Sequence, residues 1–331
     1  MTTLSVPYSR LFLGIIPWYG LLIVIGASCA VFLASREADR CALPAEIIID
    51  LALWVLPLGI LGARFYYVLF SWPSFQSNPV SVLFLWEGGL AIYGGLLAGF
   101  AVVVLFCRKR NISLLLMSDI LIPGVSLAQA IGRWGNYFNQ EAYGLPLSQS
   151  SAFRFFPAAV QIMEPQGLTW HMATFFYESM LDLLIFLFLI RGRRRLFRKE
   201  GDVFVFYLIL YGSGRLVIEN LRMDSLYMGN SIRVSQLLSL LLSMALCILL
   251  LRRRLLEGKG MSRIRWAFVA LTSLSGCVAL LYSLFPLRFS ALSPLWQTGM
   301  LLVHAIFLSV TSLLLYGKSN PSEVRYANHQ T

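Results

Sequence analysis

The sequence predicts an all-α polytopic membrane protein, and three observations carry that prediction. Apolar residues make up 58% of the chain and charged residues only 13%, with a mean hydropathy of +0.72; soluble domains carry about 25% charged residues. The apolar residues gather into runs that approach or exceed the ~20 residues a membrane-crossing helix needs. The net charge of +11 sits in short basic clusters between those runs. That is the pattern of membrane topology, not of the basic face of a nucleic-acid-binding domain, so no nucleic-acid partner is expected.

Nine runs qualify, at about 17–35, 46–70, 88–107, 112–132, 174–190, 202–222, 232–251, 264–286 and 292–316. Only Arg10 precedes the first, and no small-residue cleavage site follows it, so it reads as a retained anchor rather than a signal peptide. Basic residues then orient the chain. With the N-terminus outside, nineteen of the 27 Lys and Arg fall in the inner segments 35–40, 108–111, 191–200 and 252–265 and in the tail after 317. Six face outward (Arg10, Arg133, Arg154, Arg222, Arg233, Arg288), and Arg64 and Arg215 lie within spans. The chain is therefore expected to run N-out and C-in. The basic run from Arg252 to Arg265, holding Gly258 and Gly260, divides seven charge-bearing spans from two nearly uncharged ones. It sets a seven-span domain at 1–255 and a C-terminal extension at 256–331 with two spans and a cytoplasmic tail.

The five cysteines are scattered and form no CxxC, and the three histidines are His171, His304 and His329. Neither set suggests a disulfide framework or a metal site; the cysteines read as small buried hydrophobes and His304 as a helix–helix hydrogen bonder. No metal or cofactor is expected.

Charges within spans are costly, at about 2.5–3.5 kcal/mol each on insertion scales, so each needs a partner or a purpose. Asp50 and Arg64, Asp119, Glu178 with Asp182, Arg215 with Glu219, and Arg133 with Glu141 are the places that stand out. Arg215 and Glu219 are one helical turn apart on the face that Arg222 continues. The stretch Gly132-Arg133-Trp134-Gly135-Asn136-Tyr137-Phe138-Asn139-Gln140-Glu141 follows a span at its outward end. Its glycines admit close backbone approach, its arginine offers a planar fork suited to phosphate, and its aromatics suit the headgroup level. In the third span, Gly94/Ala98 and Gly95/Gly99 permit close helix packing, with Tyr93 set beside them.

Together these stretches resemble the bacterial prolipoprotein diacylglyceryl transferase family over about residues 14–252. The resemblance rests on Trp18-Tyr19-Gly20, Trp86-Glu87-Gly88-Gly89, Tyr93-Gly94-Gly95, the 132–141 stretch with Gly144, Thr174-Phe175-Phe176-Tyr177-Glu178, Gly214-Arg215 with Glu219, Arg222-Met223-Asp224, and Ser235-Gln236. It implies a multi-pass enzyme of the bacterial cytoplasmic (inner) membrane. Such an enzyme moves the diacylglyceryl group of phosphatidylglycerol to the lipobox cysteine thiol in a prolipoprotein signal peptide and releases glycerol phosphate, without a cofactor. Membrane lipid and prolipoprotein would be its partners.

On that reading Arg133, Arg215, Glu141 and Glu219 are the catalytic candidates. Glu219 orients Arg215, and Glu141 similarly positions Arg133. Tyr19, Tyr93, Asn136, Asn139, Gly144 and Arg222 join Arg133 in substrate binding. Tyr93 stands where many family members carry histidine, so it is expected to hydrogen-bond substrate rather than take a proton. The family's His-Pro before the fifth span reads Met172-Ala173 here, one place from His171, and His171 is assigned no role. The alternative is a membrane lipid carrier or flippase, since glycine-rich helices with buried charges also describe carriers.

Overall fold

The computed structural model describes residues 10–316 except Ala45, Trp86, Glu87, Gln166, Arg198, Leu226, 229–231, Ser290 and Ala291. Nine α-helices run through these residues: α1 Trp18–Arg40, α2 Glu46–Phe70, α3 Ile92–Arg110, α4 Leu114–Asn139, α5 Thr174–Arg195, α6 Asp202–Leu221, α7 Val234–Leu256, α8 Arg263–Leu284 and α9 Pro294–Tyr316. Each coincides with one expected span. Seven of them (α1–α4 and α7–α9) are long and apolar enough to cross a membrane by length and composition, and the protein is an all-helical polytopic membrane protein. The other two, α5 and α6, are 22 and 20 residues long and carry the buried charges Glu178, Asp182 and Glu219.

The helix ends follow from local chemistry. Asn111 closes α3 in the left-handed region, φ 55°, with its N–H on the Arg108 and Cys107 carbonyls. The Ser262 side chain accepts from the Arg265 N–H and opens α8. The basic last turns of α3, α5 and α7 complement the negative ends of their helix dipoles, so the residues that set topology also stabilise the helix ends. At two places the sequence left structure unread. The helix α4 runs through Pro123 and on to Asn139, so the 132–139 stretch is helical rather than an interfacial loop. Three short antiparallel hairpins also occur, pairing β1 Leu11–Phe12 with β2 Ile16–Pro17, β3 Ala159–Glu164 with β4 Gly167–Met172, and β5 Tyr227–Met228 with β6 Ile232–Arg233.

The chain packs as two compact units, one from the described parts of Met1–Cys29 with Ile122–Arg325 and one from Ala30–Leu121. In the second unit, α2 and α3 meet at glycines: a Cβ on Gly62 would lie 2.2 Å from Ala98 Cβ, and one on Gly94 would lie 2.4 Å from the Gly62 oxygen. The small-residue stripe of the third span thus serves helix packing. Arg64 is 5% exposed and donates to the Ser81, Val82, Phe84, Gly88 and Gly89 carbonyls at 2.6–3.3 Å; it shapes the loop before α3. Asp50 pairs with Arg110 at 2.8 Å. Both of these unusual charges are structural.

In the first unit the core joins α5, α6, α7 and α9 through Phe206, Ile209, Leu189, Cys247 and Leu308. A polar knot ties the C-terminal ends of α6 and α8 to the N-terminal end of α9. Asn220 Oδ1 accepts from Arg233 Nη1 at 2.7 Å and from the Tyr282 hydroxyl at 2.5 Å, while its Nδ2 donates to Thr298 Oγ1 at 2.9 Å. Tyr282→Phe removes one of these buried bonds and is expected to lower stability by about 1 kcal/mol, read as a lower Tm of the purified protein. An unchanged Tm would show that the knot is dispensable.

Candidate active site

The site is built where the C-terminal parts of α4 and α6 meet the N-terminal part of α5. Glu178 of α5 is 4% exposed and gathers three arginines from two other segments. Arg133 Nε of α4 lies 2.6 Å from Glu178 Oε2. Arg215 Nη1 of α6 bonds Glu178 Oε1, and its Nη2 lies 2.6 Å from Glu219 Oε2. Arg222, which caps α6, places Nη1 3.6 Å from Glu178 Oε1 and forks onto Asp224 at 2.7 and 2.9 Å. The three guanidiniums are partly or wholly withdrawn from solvent, with side-chain exposures of 21%, 15% and 11%. Each carries five N–H donors, and these contacts use one to three of them, so donors remain for a bound anion.

Neighbouring groups hold this cluster. Tyr211 lies within electrostatic reach of Arg133 and stacks on Tyr207 with centroids 5.5 Å apart. Tyr207 in turn donates to Gln129 Oε1 at 2.7 Å. Asp182, one turn along α5 from Glu178, is 1% exposed; its carboxylate has no hydrogen-bond partner among the described residues and feels the charges of both Arg133 and Arg215.

A second arm of the site is the end of α4. Glu141 Oε1 accepts from Asn136 Nδ2 at 2.9 Å and Asn139 Nδ2 at 3.1 Å. The expected Glu141–Arg133 partnership is thus not formed: Glu141 holds the two asparagines, and Glu178 holds Arg133. Tyr19 sits against Gly135, where a Cβ would come 2.5 Å from its Cδ2, and lies within electrostatic reach of Glu141 and Arg133. The neighbouring Trp18 stacks on Phe138 at 4.7 Å. Trp134 packs among Tyr137, Phe156, Phe175 and Phe176 and donates to Ser179 Oγ at 3.1 Å. These rings are core that locks α4 to α5.

Gly144 joins the two arms. It bridges to Arg222, its N–H donates to Met172 O at 2.8 Å, and its oxygen lies 2.9 Å from His171 Nδ1. A Cβ there would fall 2.7 Å from Thr174 Cγ2 and 2.8 Å from the Leu221 oxygen. Leu221 O is backbone at the end of α6 and cannot swing aside. Gly144→Ala is expected to lower stability by about 1–3 kcal/mol through displacement of Arg222, seen as a fall in Tm. A Tm equal to wild type would mean that this contact relaxes freely. His171 is fully buried, with Nε2 3.1 Å from Glu164; it is a strut beneath Gly144.

Of the expected site residues, Arg133, Arg215, Glu219, Arg222, Tyr19, Asn136, Asn139, Glu141 and Gly144 all fall in the same compact unit. Tyr93 lies in the other, half-buried near the start of α3. Trp86 and Glu87 lie outside the described residues. The residue the sequence undervalued is Glu178. It stood out as a charge in a span and as part of a motif, but linear spacing could not link it to arginines 45 and 37 positions away.

A family model described as "Prolipoprotein diacylglyceryl transferase" matches residues 11–252. Among curated relatives, the phosphatidylglycerol–prolipoprotein diacylglyceryl transferase of Enterococcus faecalis is 46% identical over 240 residues, covering 72% of this chain and 86% of that protein. The protein of the same name from Lactobacillus acidophilus is 41% identical over 257 residues, covering 74% and 91%, and that from Lactobacillus delbrueckii subsp. bulgaricus is 42% identical over 254. The arginine–carboxylate cluster and all the motifs that support it lie inside the matched region, and the chain belongs to the prolipoprotein diacylglyceryl transferase family.

Proposed function

We propose that this protein transfers the diacylglyceryl group of phosphatidylglycerol to the lipobox cysteine thiol of prolipoproteins, releasing glycerol phosphate as the first step of bacterial lipoprotein maturation. The single observation that carries the reading is the convergence of Arg133 and Arg215, from separate helices, on one buried carboxylate. Relatives 41–46% identical to this chain over 240–257 matched residues bear that activity in their names. The family membership does not favour a lipid carrier.

The reaction is a substitution at a glycerol carbon. The cysteine sulfur forms a C–S bond, the C–O bond to phosphate breaks, and its electron pair leaves on the phosphate oxygen. Arg133 and Arg215 hold the diester anion and stabilise the charge that grows on the leaving oxygen; donors placed where charge develops are usually the largest catalytic contribution. Glu178 and Glu219 are positioning residues that fix the two guanidiniums. Asn136 and Asn139, fixed by Glu141, with Tyr19, hold the glycerol hydroxyls and ester carbonyls. Arg222 is a weaker third phosphate holder, and Gly144 keeps it in place. The thiol gives up its proton more readily beside the guanidiniums, which favour thiolate.

In this reading the chain sits N-out and C-in in the bacterial inner membrane, with α1–α7 (residues 1–255) as the catalytic bundle and α8 and α9 as an extension. The site then faces the outer side, where signal peptides emerge. Purified protein incubated with phosphatidylglycerol and a lipobox peptide tests the reaction directly. The peptide is expected to gain the mass of one diacylglyceryl group on its cysteine, with release of glycerol phosphate. A peptide of unchanged mass, with lipid moved between leaflets instead, would return the carrier reading.

A further inference from the structure

A groove of about 630 Å³ runs between α5, α6 and α9, walled by side chains such as Leu181, Phe188, Val217, Ile306 and Val310. Its third wall, α9, lies beyond the region matched by the family. The lining offers little to a polar occupant. Of its three hydroxyl side chains, Ser213 donates to the Ile209 oxygen at 2.7 Å and Tyr177 to the Ala158 oxygen at 2.6 Å, leaving Ser309.

Length and volume select the occupant. Along α5 the lining extends from Tyr177 to Phe188, about 16 Å at 1.5 Å per residue, which equals one leaflet of a hydrocarbon core about 30 Å thick. A spanning helix would need roughly the full 30 Å and on the order of 2,400 Å³. A lipid tail of one leaflet fits; a helix does not.

The groove ends on charge. Tyr177, Leu181, Leu184 and Phe188 are spaced four, three and four residues apart, and the same face of α5 continues at Arg191 and Arg195. Both arginines are exposed, and no acceptor among the described residues holds either. Of the arginines at the end of α7, Arg253 is committed to Asp202 at 2.7 Å and Arg254 to the Leu315 and Gly260 oxygens at 2.9 and 3.2 Å. Arg191 is 13 residues from Glu178, about 20 Å along the helix, so this basic end is separate from the catalytic cluster.

We propose that this groove is a binding site for one anionic phospholipid, its headgroup on Arg191 and Arg195 and its tail in the channel that α9 closes. The C-terminal extension thereby completes an accessory lipid site whose basic headgroup end lies at the opposite end of α5 from the active site. Each Lys or Arg near a membrane surface strengthens attraction to anionic lipid about five-fold. The site does not depend on the transferase activity.

The test is photocrosslinking of the full chain in nanodiscs that contain phosphatidylserine with a photoreactive acyl chain among phosphatidylcholine. Phosphatidylserine is anionic yet is not the donor lipid of the transfer reaction, so this readout stands apart from catalysis. Label is expected on the groove-lining peptides of α5 and α9, falling about 25-fold in the Arg191→Gln/Arg195→Gln double variant. Ser309→Phe, which fills the channel, is expected to remove the same label. The double variant changes only exposed side chains, so it keeps the test valid if Ser309→Phe fails to fold. Equal labelling by photoreactive phosphatidylcholine, or label unchanged in the double variant, would mean ordinary bulk lipid and overturn the proposal. Displacement of the label by a lipobox peptide, or crosslinks to a second copy of the chain, would overturn it in favour of those occupants.

Discussion

Arg133→Ala is expected to lower the rate of transfer to a lipobox peptide by about 10²–10³-fold, the cost of removing one donor aimed at developing charge. The expectation follows from position. Arg133 enters from α4, its Nε is 2.6 Å from Glu178, and its side chain keeps 21% exposure, the most open of the three arginines. Its loss leaves Glu178 still paired with Arg215 and Arg222 and Asp182 still facing the charge of Arg215, so the fold survives. Rate should therefore fall far more than Tm. Arg133→Lys is not expected to restore it, because an ammonium is a point charge without the planar fork that matches a phosphate. Near-normal transfer by Arg133→Ala, in membranes supplied with phosphatidylglycerol and peptide, would show that the reacting group sits elsewhere.

Glu178→Ala is expected to damage both stability and rate. Removing one partner from a buried ion pair typically costs about 3–5 kcal/mol, because the opposite charge is left uncompensated; here Arg133 and Arg215 both lose their shared acceptor. Glu178→Gln keeps the volume and separates the two roles. It removes the charge that holds two like-charged guanidiniums together, so transfer per folded molecule should fall along with Tm. Glu178→Asp keeps the charge on a shorter arm and should recover part of both. Full transfer per folded molecule in Glu178→Gln, with only Tm reduced, would reduce Glu178 to a structural ion pair.

These two predictions differ in how far the sequence could reach them. Arg133 and the Arg215–Glu219 pair were legible: one lies in a dense local motif, the other at helical spacing, and both are short-range features. Glu178 was visible as a misplaced charge but not as the hub, since its partners come from α4 and α6. The Asn136–Asn139–Glu141 group shows the same limit at short range. All three residues were expected at the site, yet the expected link from Glu141 to Arg133 went instead to the asparagines. A glutamate just past a helix end can bond several neighbours, and backbone direction, not spacing, chooses among them. The β3–β4 hairpin escaped notice because its side chains follow no amphipathic period of the kind that marks the spans. Gly144 was read as part of a motif, while its reason, the Leu221 oxygen 2.8 Å from where a Cβ would stand, lies in packing alone.

By itself the sequence determined the membrane class, the nine helices with their boundaries to within a few residues in most cases, and the family. Those properties depend on local hydropathy, on charge between runs and on short motifs, all written along the chain. Only the tertiary structure decided which charges work together. Arg64 and Asp50 turned out to hold a loop and a helix end; Arg133, Arg215 and Arg222 share one carboxylate, and α9 closes a groove against α5 and α6. A charge placed in an apolar span must find a partner, and the sequence shows that need. The partner is chosen by how the helices cross, and that is a property of the folded molecule.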